Sequence, residues 1–311
     1  MKKALLLFFT ICTFMGALAH GFDESIDSLV VDNQAIIGTL TMPAHADKAI
    51  PLVIIIAGSG PTDRDCNGQG FRSDAYKKVA ASLAMKRIAC YRYDKRGVGK
   101  SVNQSMREEE FRFDMMVKDA QAIIEKYKKD KRFSEVTVLG HSEGSLVAML
   151  ACDTKTPCIS LAGAGINAAE ILKKQLKGQL GEMEETVFKK IDSVRNGETV
   201  VADNPVLMQL LRPSVQSYMH SWMVYDPAKE IKKFKGKFLI INGTKDLQVP
   251  VEHATKLHDA NNKASLLLID NMNHILTEIE GGTDDNIASY NKPELPISTK
   301  LIDAISSFIV Q

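Results

Sequence analysis

The sequence predicts an α/β fold: a mostly parallel, doubly wound sheet with an antiparallel N-terminal lead-in and an inserted helical cap. Three patterns carry this. From the middle of the chain onward, short runs rich in β-branched residues alternate with longer amphipathic ones. Two strand-like runs precede that alternation, as when an antiparallel edge joins a parallel sheet. Between Gly165 and about Tyr225 the residues read as helical without a strand, a stretch too long for a single crossover helix.

In chain order, strands are expected at Ser28 to Val31, Ile37 to Met42, Leu52 to Ile56, Ile88 to Tyr93, Val136 to Leu139, Cys158 to Leu161, Phe238 to Ile241 and Leu266 to Ile269. The intervening helices are expected at Tyr76 to Met85, Phe113 to Lys129, Gly144 to Ala151, Val251 to Ala260 and Ser298 to Ile309. Inside the helical stretch, breaks fall near Gly178 and Gly181 and around Asn196-Gly197. There is no internal repeat and no low-complexity tract.

The N-terminus reads as a leader. Lys2 and Lys3 precede an apolar run from Ala4 to Leu18, and Ala17-Leu18-Ala19 supplies a small-x-small cleavage site before His20. That run falls short of the roughly 20 apolar residues a membrane span needs. Residues 1–19 are therefore expected to be a signal peptide, and 20–311 one domain with its helical insertion at about 165–225. The mature protein is expected to be exported, periplasmic or secreted, with no stable membrane insertion.

Net charge is +1 over 311 residues, and losing the two leader lysines removes that small excess. Such a balance gives no reason to expect a nucleic acid or an anionic lipid as partner. Oligomeric state is left open. Of the cysteines beyond the leader, Cys90 lies in an apolar run and reads as a buried free thiol. Cys152 and Cys158 flank a short turn, and their spacing predicts a disulfide in an oxidising compartment. No Cys-x-x-Cys pair, His-Glu-x-x-His motif or carboxylate cluster asks for a metal, and no cofactor is expected.

The chemistry concentrates at Gly140-His141-Ser142-Glu143-Gly144, which follows a strand and opens a helix. Gly-x-Ser-x-Gly in that context is a nucleophile elbow, a tight turn that lifts a serine hydroxyl clear of the sheet. The motif implies an α/β-hydrolase fold. A serine hydroxyl needs a base and an acid, here in the order Ser, Asp, His. His274 follows the last strand in Asn271-Met272-Asn273-His274, and is chosen as base. His220, in the helical stretch, is the rival; His253 and His258 read as surface residues, and His141 as packing beside the elbow. Asp246 follows the strand Phe238 to Ile241 and is chosen as acid over Asp270, which precedes His274 by only four residues. For the oxyanion hole, the backbone N–H of Glu143 and that of Ser59, in Ala57-Gly58-Ser59-Gly60-Pro61, are the expected donors. The side chain of Glu143 reads as a partner of the helix dipole.

Two phosphate-binding patterns fail. Gly97-Val98-Gly99-Lys100-Ser101 ends like a Walker loop but has Asp94 where the leading glycine belongs. Gly163-Ala164-Gly165 follows the sixth strand, whereas a dinucleotide fingerprint belongs at the first βα turn.

These stretches, with Thr62-Asp63-Arg64-Asp65, Tyr93 to Ser101, Arg212 to Gln216, Tyr225-Asp226-Pro227 and Gly243 to Pro250, resemble the EstD-type carboxylesterases of the serine aminopeptidase-like α/β-hydrolase family. The resemblance covers nearly the whole mature length. It implies a serine hydrolase cleaving small-molecule carboxylic esters through an acyl-enzyme, with Ser142 as nucleophile, Asp246 as acid, His274 as base and the Ser59 loop in the oxyanion hole. One departure is Cys66, where the family has glycine. A peptidase using the same triad is the main alternative, with Glu182, Glu184 and Glu185 as candidate grips for a peptide amine. A binding protein that has kept the pocket is the other.

Overall fold

A computed structural model describes residues 21–310; the expected signal peptide lies outside them. The chain enters the sheet through a hairpin in which β1 (Phe22–Val31) pairs antiparallel with β2 (Gln34–Pro43). Asp32 and Asn33 between them both have left-handed φ, 47° and 59°, the geometry of a two-residue turn that matches strand twist. β1 starts six residues before its expected first residue because Phe22 to Asp27 lie mostly in solvent on an edge and give little apolar signal.

β3 (Ile50–Ile56) is almost wholly buried. Ile50, Leu52, Ile54 and Ile56 face one half of the core while Val53 and Ile55 face the other. A strand covered on both faces loses apolar-polar alternation and reads as a continuous hydrophobic run. A small hairpin, β4 (Asn67–Gly68) and β5 (Phe71–Arg72), leads to α1 (Ala75–Met85), β6 (Ala89–Tyr93), α2 (Phe113–Lys128), β7 (Phe133–His141), α3 (Glu143–Ala151) and β8 (Cys158–Leu161). Five helices follow before the sheet resumes: α4 (Ala168–Leu176), α5 (Glu184–Arg195), α6 (Pro205–Leu211), α7 (Gln216–Met223) and α8 (Pro227–Ile231). The chain ends with β9 (Phe238–Gly243), α9 (Val251–Ala260), β10 (Ser265–Ile269), α10 (Thr283–Ser289) and α11 (Thr299–Val310).

The eight long strands form one sheet in the order β1-β2-β6-β3-β7-β8-β9-β10, parallel from β6 to β10. Helices α1 and α11 cover one face with Tyr76, Val79, Leu83, Leu301 and Ile305. Helices α2, α3 and α9 cover the other, α2 through Phe113, Val117, Ala120, Ile124 and Tyr127, one stripe at helical spacing. Strand order reverses at β3, whose sequence successor β6 lies on one side and β7 on the other. In open α/β sheets the crevice at the carboxyl ends of such strands is where ligands bind. The loop carrying Ser59 leaves β3 there, and Ser142 leaves β7 beside it.

The inserted helices have a core of their own, in which Val187, Ile191, Leu207, Leu211 and Met223 are buried. Their breaks fall at Gly178, Gly181 and Gly197, each with left-handed φ. Cys152 and Cys158 are free thiols in this structure, in side-chain contact at the end of α3 and the start of β8, so the bridge expected from their spacing is not formed. Among the described residues no helix is long and apolar enough to cross a membrane, and no group of three or more His, Cys, Asp or Glu gathers around a point where a metal would bind.

Candidate active site

Ser142 sits between β7 and α3 with φ 54° and ψ −120°, a backbone conformation that L-residues adopt only under constraint. The flanking glycines are set by close approach. A Cβ on Gly140 would lie 2.1 Å from the Gly144 carbonyl oxygen, and one on Gly144 would lie 2.4 Å from the Ile56 carbonyl oxygen. Both neighbours are backbone and cannot swing away, so only glycine permits the turn. The Ser142 N–H donates to the Leu161 carbonyl at 2.9 Å, which ties the turn to β8.

Asp246 and His274 arrive from the loops after β9 and β10. Oδ2 of Asp246 accepts the Nδ1 proton of His274 at 2.7 Å, while Oδ1 accepts the N–H groups of Gln248 and Val249, each at 2.9 Å. Both side chains are buried. With Nδ1 engaged, Nε2 of His274 carries the imidazole lone pair. Asn273 anchors the histidine loop by donating to Asn286 and Ser289 and accepting from the Thr277 N–H. His274 and Ser142 line one cavity of about 220 Å³, with Thr62, Phe71 and Tyr290. Asp270 is exposed, and the His274 Nδ1 bond goes to Asp246 instead. His220 bonds to the backbone of Val194 and Arg195 and lines no cavity with Ser142.

Ser59, Ser142 and Glu143 also line a second cavity of about 360 Å³ between the sheet and the inserted helices. Leu146, Ile171, Leu172, Leu210, Met219 and Trp222 make it apolar. Among the described residues neither the Ser59 nor the Glu143 N–H has a protein acceptor, whereas Gly58 N–H donates to the Tyr76 hydroxyl at 3.1 Å. Both Ser59 and Glu143 line this cavity together with Ser142.

His141 packs beside the elbow as expected, but its hydrogen bonds and several other contacts are not expected from sequence. His141 is buried against His274, ring centroids 4.6 Å apart. Its Nε2 lies 2.9 Å from the His274 carbonyl, which can only accept, so Nε2 holds the proton and Nδ1 accepts from the Tyr76 hydroxyl at 2.8 Å. Burial, with a smaller effect from the neighbouring His274 ring, pushes the His141 pKa well below its ordinary range and keeps it neutral. A continuous chain of hydrogen bonds thus joins the Ser59 loop to the histidine loop. His253, expected at the surface, is buried and accepts the Gly165 N–H at 3.1 Å on Nδ1; its helix turns that face toward the loop after β8. Glu143, expected as a dipole partner, is also buried and accepts the Tyr218 hydroxyl from α7, and Lys95 stands 3.7 Å from its other oxygen. Asp94 receives the Arg64 and Lys100 N–H groups, so the failed Walker loop is folded around a carboxylate. The only hint of these contacts in the sequence is the run Tyr93 to Ser101 within the family resemblance.

The family model described as serine aminopeptidase, S33, matches residues 66–280, which include Ser142, Asp246 and His274. The chain belongs to this family. Esterase EstD of Thermotoga maritima is 24% identical over 298 aligned residues, covering 93% of this chain and 68% of that protein. Among solved structures, Est1E from Butyrivibrio proteoclasticus superposes with a TM-score of 0.60 at 17% identity, covering 92% of this chain and 99% of that one. Proline iminopeptidase from Mycobacterium smegmatis gives 0.58 at 14% identity, covering 92% and 98%. These likenesses show the α/β-hydrolase fold. As a member of this family the chain is a hydrolase.

Proposed function

We propose that the protein is a serine hydrolase cleaving carboxylic esters of short to medium acyl chains through an acyl-enzyme intermediate. The observation that carries the reading is the buried Asp246–His274 pair facing the cavity of an elbow serine, with two free N–H groups beside it. In this mechanism His274 Nε2 takes the Ser142 proton as Oγ attacks the ester carbonyl, and the N–H groups of Ser59 and Glu143 hold the oxyanion. Collapse passes the same proton to the departing alcohol; water then repeats the sequence to release the acid. Asp246 holds the tautomer that leaves Nε2 free and stabilises the imidazolium.

The leaving oxygen must come within reach of His274, so the smaller cavity lined by His274, Phe71 and Tyr290 takes the alcohol. The larger apolar cavity, which His274 does not line, takes the acyl group. Its size suits a chain from acetate to about hexanoate, and methionine and leucine walls tolerate variation in shape. The relative's name, esterase, points the same way.

The peptidase reading rests on the family's name and the iminopeptidase likeness. Cleaving an aminoacyl amide calls for a carboxylate facing the substrate amine. Among the described residues Glu182 and Glu185 are exposed, Glu184 bonds to the Gly178 N–H, and Glu143, the carboxylate in the acyl cavity, is already engaged by Tyr218 and Lys95. We further propose that residues 1–19 are removed on export, leaving His20 as the first residue. Labelling with a fluorophosphonate, followed by kcat/KM for p-nitrophenyl acyl esters beside alanine and proline p-nitroanilides, tests the function. Adduct on Ser142 and a maximum at six carbons or fewer are expected. An anilide matching the best ester would assign a peptidase, and no adduct would leave a binding protein.

A further inference from the structure

Lys95 is an unusual residue to find where it is. It follows Asp94 at the end of β6, its side chain is 6% exposed, and its ammonium donates to the Gly58 carbonyl. On its other side lies the Glu143 carboxylate, 3.7 Å away and 2% exposed, whose second oxygen accepts from Tyr218. Burial lowers the lysine pKa, and the neighbouring carboxylate opposes that shift by favouring the ammonium. One cation therefore touches both halves of the oxyanion hole: the carbonyl of the Gly58–Ser59 peptide, whose nitrogen is one donor, and the side chain of the residue that supplies the other.

We propose that Lys95 is a positioning residue that polarises the Gly58–Ser59 peptide, making the Ser59 N–H a stronger oxyanion donor while Glu143 balances the buried charge. The physical basis is the conjugation of the peptide unit. A charge-assisted bond to the carbonyl oxygen draws electron density from the nitrogen, and the N–H at the far end becomes more positive. Away from water such effects are larger than in solution. A brace alone would not need a buried cation, because a neutral donor holds a carbonyl at a lower desolvation cost. The proposal rests on Ser142 ester hydrolysis through these two donors.

The test compares Lys95→Met, Lys95→Gln and Lys95→Arg on p-nitrophenyl butyrate, with Ser142→Ala alongside. Losing a whole oxyanion donor costs on the order of 100-fold or more in kcat; weakening one should cost roughly 10- to 50-fold in Lys95→Met, with KM within about threefold. Affinity for a trifluoromethyl ketone, which forms an oxyanion on Ser142, should fall in parallel. The infrared band of a ¹³C-labelled acyl carbonyl on the enzyme, held at mildly acidic pH, should move to higher wavenumber. Lys95→Arg should recover most of each loss and Lys95→Gln little. A carbonyl band unmoved in Lys95→Met, or Lys95→Gln recovering as well as Lys95→Arg, would overturn the proposal and leave a mechanical brace. If Lys95→Met does not fold, Lys95→Met with Glu143→Gln removes both buried charges and is read in the same way. Full activity in Ser142→Ala would instead overturn the ester mechanism, which separates the two failures.

Discussion

Replacing Tyr76 by Phe keeps a ring that is 2% exposed and removes only the hydroxyl that joins Gly58 N–H to His141 Nδ1. Two buried polar groups then lose their partner. At about 1–3 kcal/mol for each orphaned group, reduced where water from the adjoining cavity takes the place of the hydroxyl, the loss should be about 2–4 kcal/mol. For a chain of this length each kcal/mol lowers Tm by about 2 °C, so a drop of about 4–8 °C is expected in a thermal scan. Activity should fall as well, because Gly58 immediately precedes the proposed oxyanion donor Ser59; a loop loosened there should cost roughly tenfold in kcat. In a His141→Asn background the same substitution should cost less, since one of the two orphans is already gone. A Tm within about 1 °C of the parent and unchanged kcat would mean that the hydroxyl does not bridge these loops.

Asp246→Asn should lower kcat on a butyrate ester by roughly ten-thousandfold by holding His274 in the wrong tautomer, whereas Asp270→Asn, at an exposed site, should stay within about twofold; the reverse order would reassign the acid. Stability should also depend on pH through His141. The folded chain refuses a proton there that the unfolded chain takes up near 6.5, so its contribution is complete above 6.5 and declines as pH falls below it, with His253 acting in the same sense. Urea midpoints taken between about pH 7.5 and 5.5 should show this decline, and His141→Asn should flatten it by up to about 1.4 kcal/mol per pH unit below 6.5; an unchanged slope would show that His141 protonates freely in the folded protein.

What could be read in the sequence is what local geometry dictates. Gly140 and Gly144 are forced by backbone atoms of the elbow and of β3, and Asp246 and His274 stand just beyond strands that announce themselves by apolar runs. The helix α2 is written in its own stripe of buried residues. What escaped is contact between distant residues. Tyr76 meets His141 across 65 positions, and Lys95 meets Gly58 across 37, at spacings that no periodicity encodes. Residue type alone puts His253 at the surface and makes Glu143 a partner of its helix dipole. Both are instead buried with a partner donating to them, which is the condition under which a polar side chain can leave water. The hairpin β4–β5 is too short to have a pattern, yet it places Phe71 in the wall of the cavity assigned to the alcohol. Fold and elbow are thus local properties of this chain. Its electrostatics and the shape of the cavity beside Ser142 and His274 depend on pairs brought together only when the sheet closes, and substitutions there should alter turnover with little change in secondary structure.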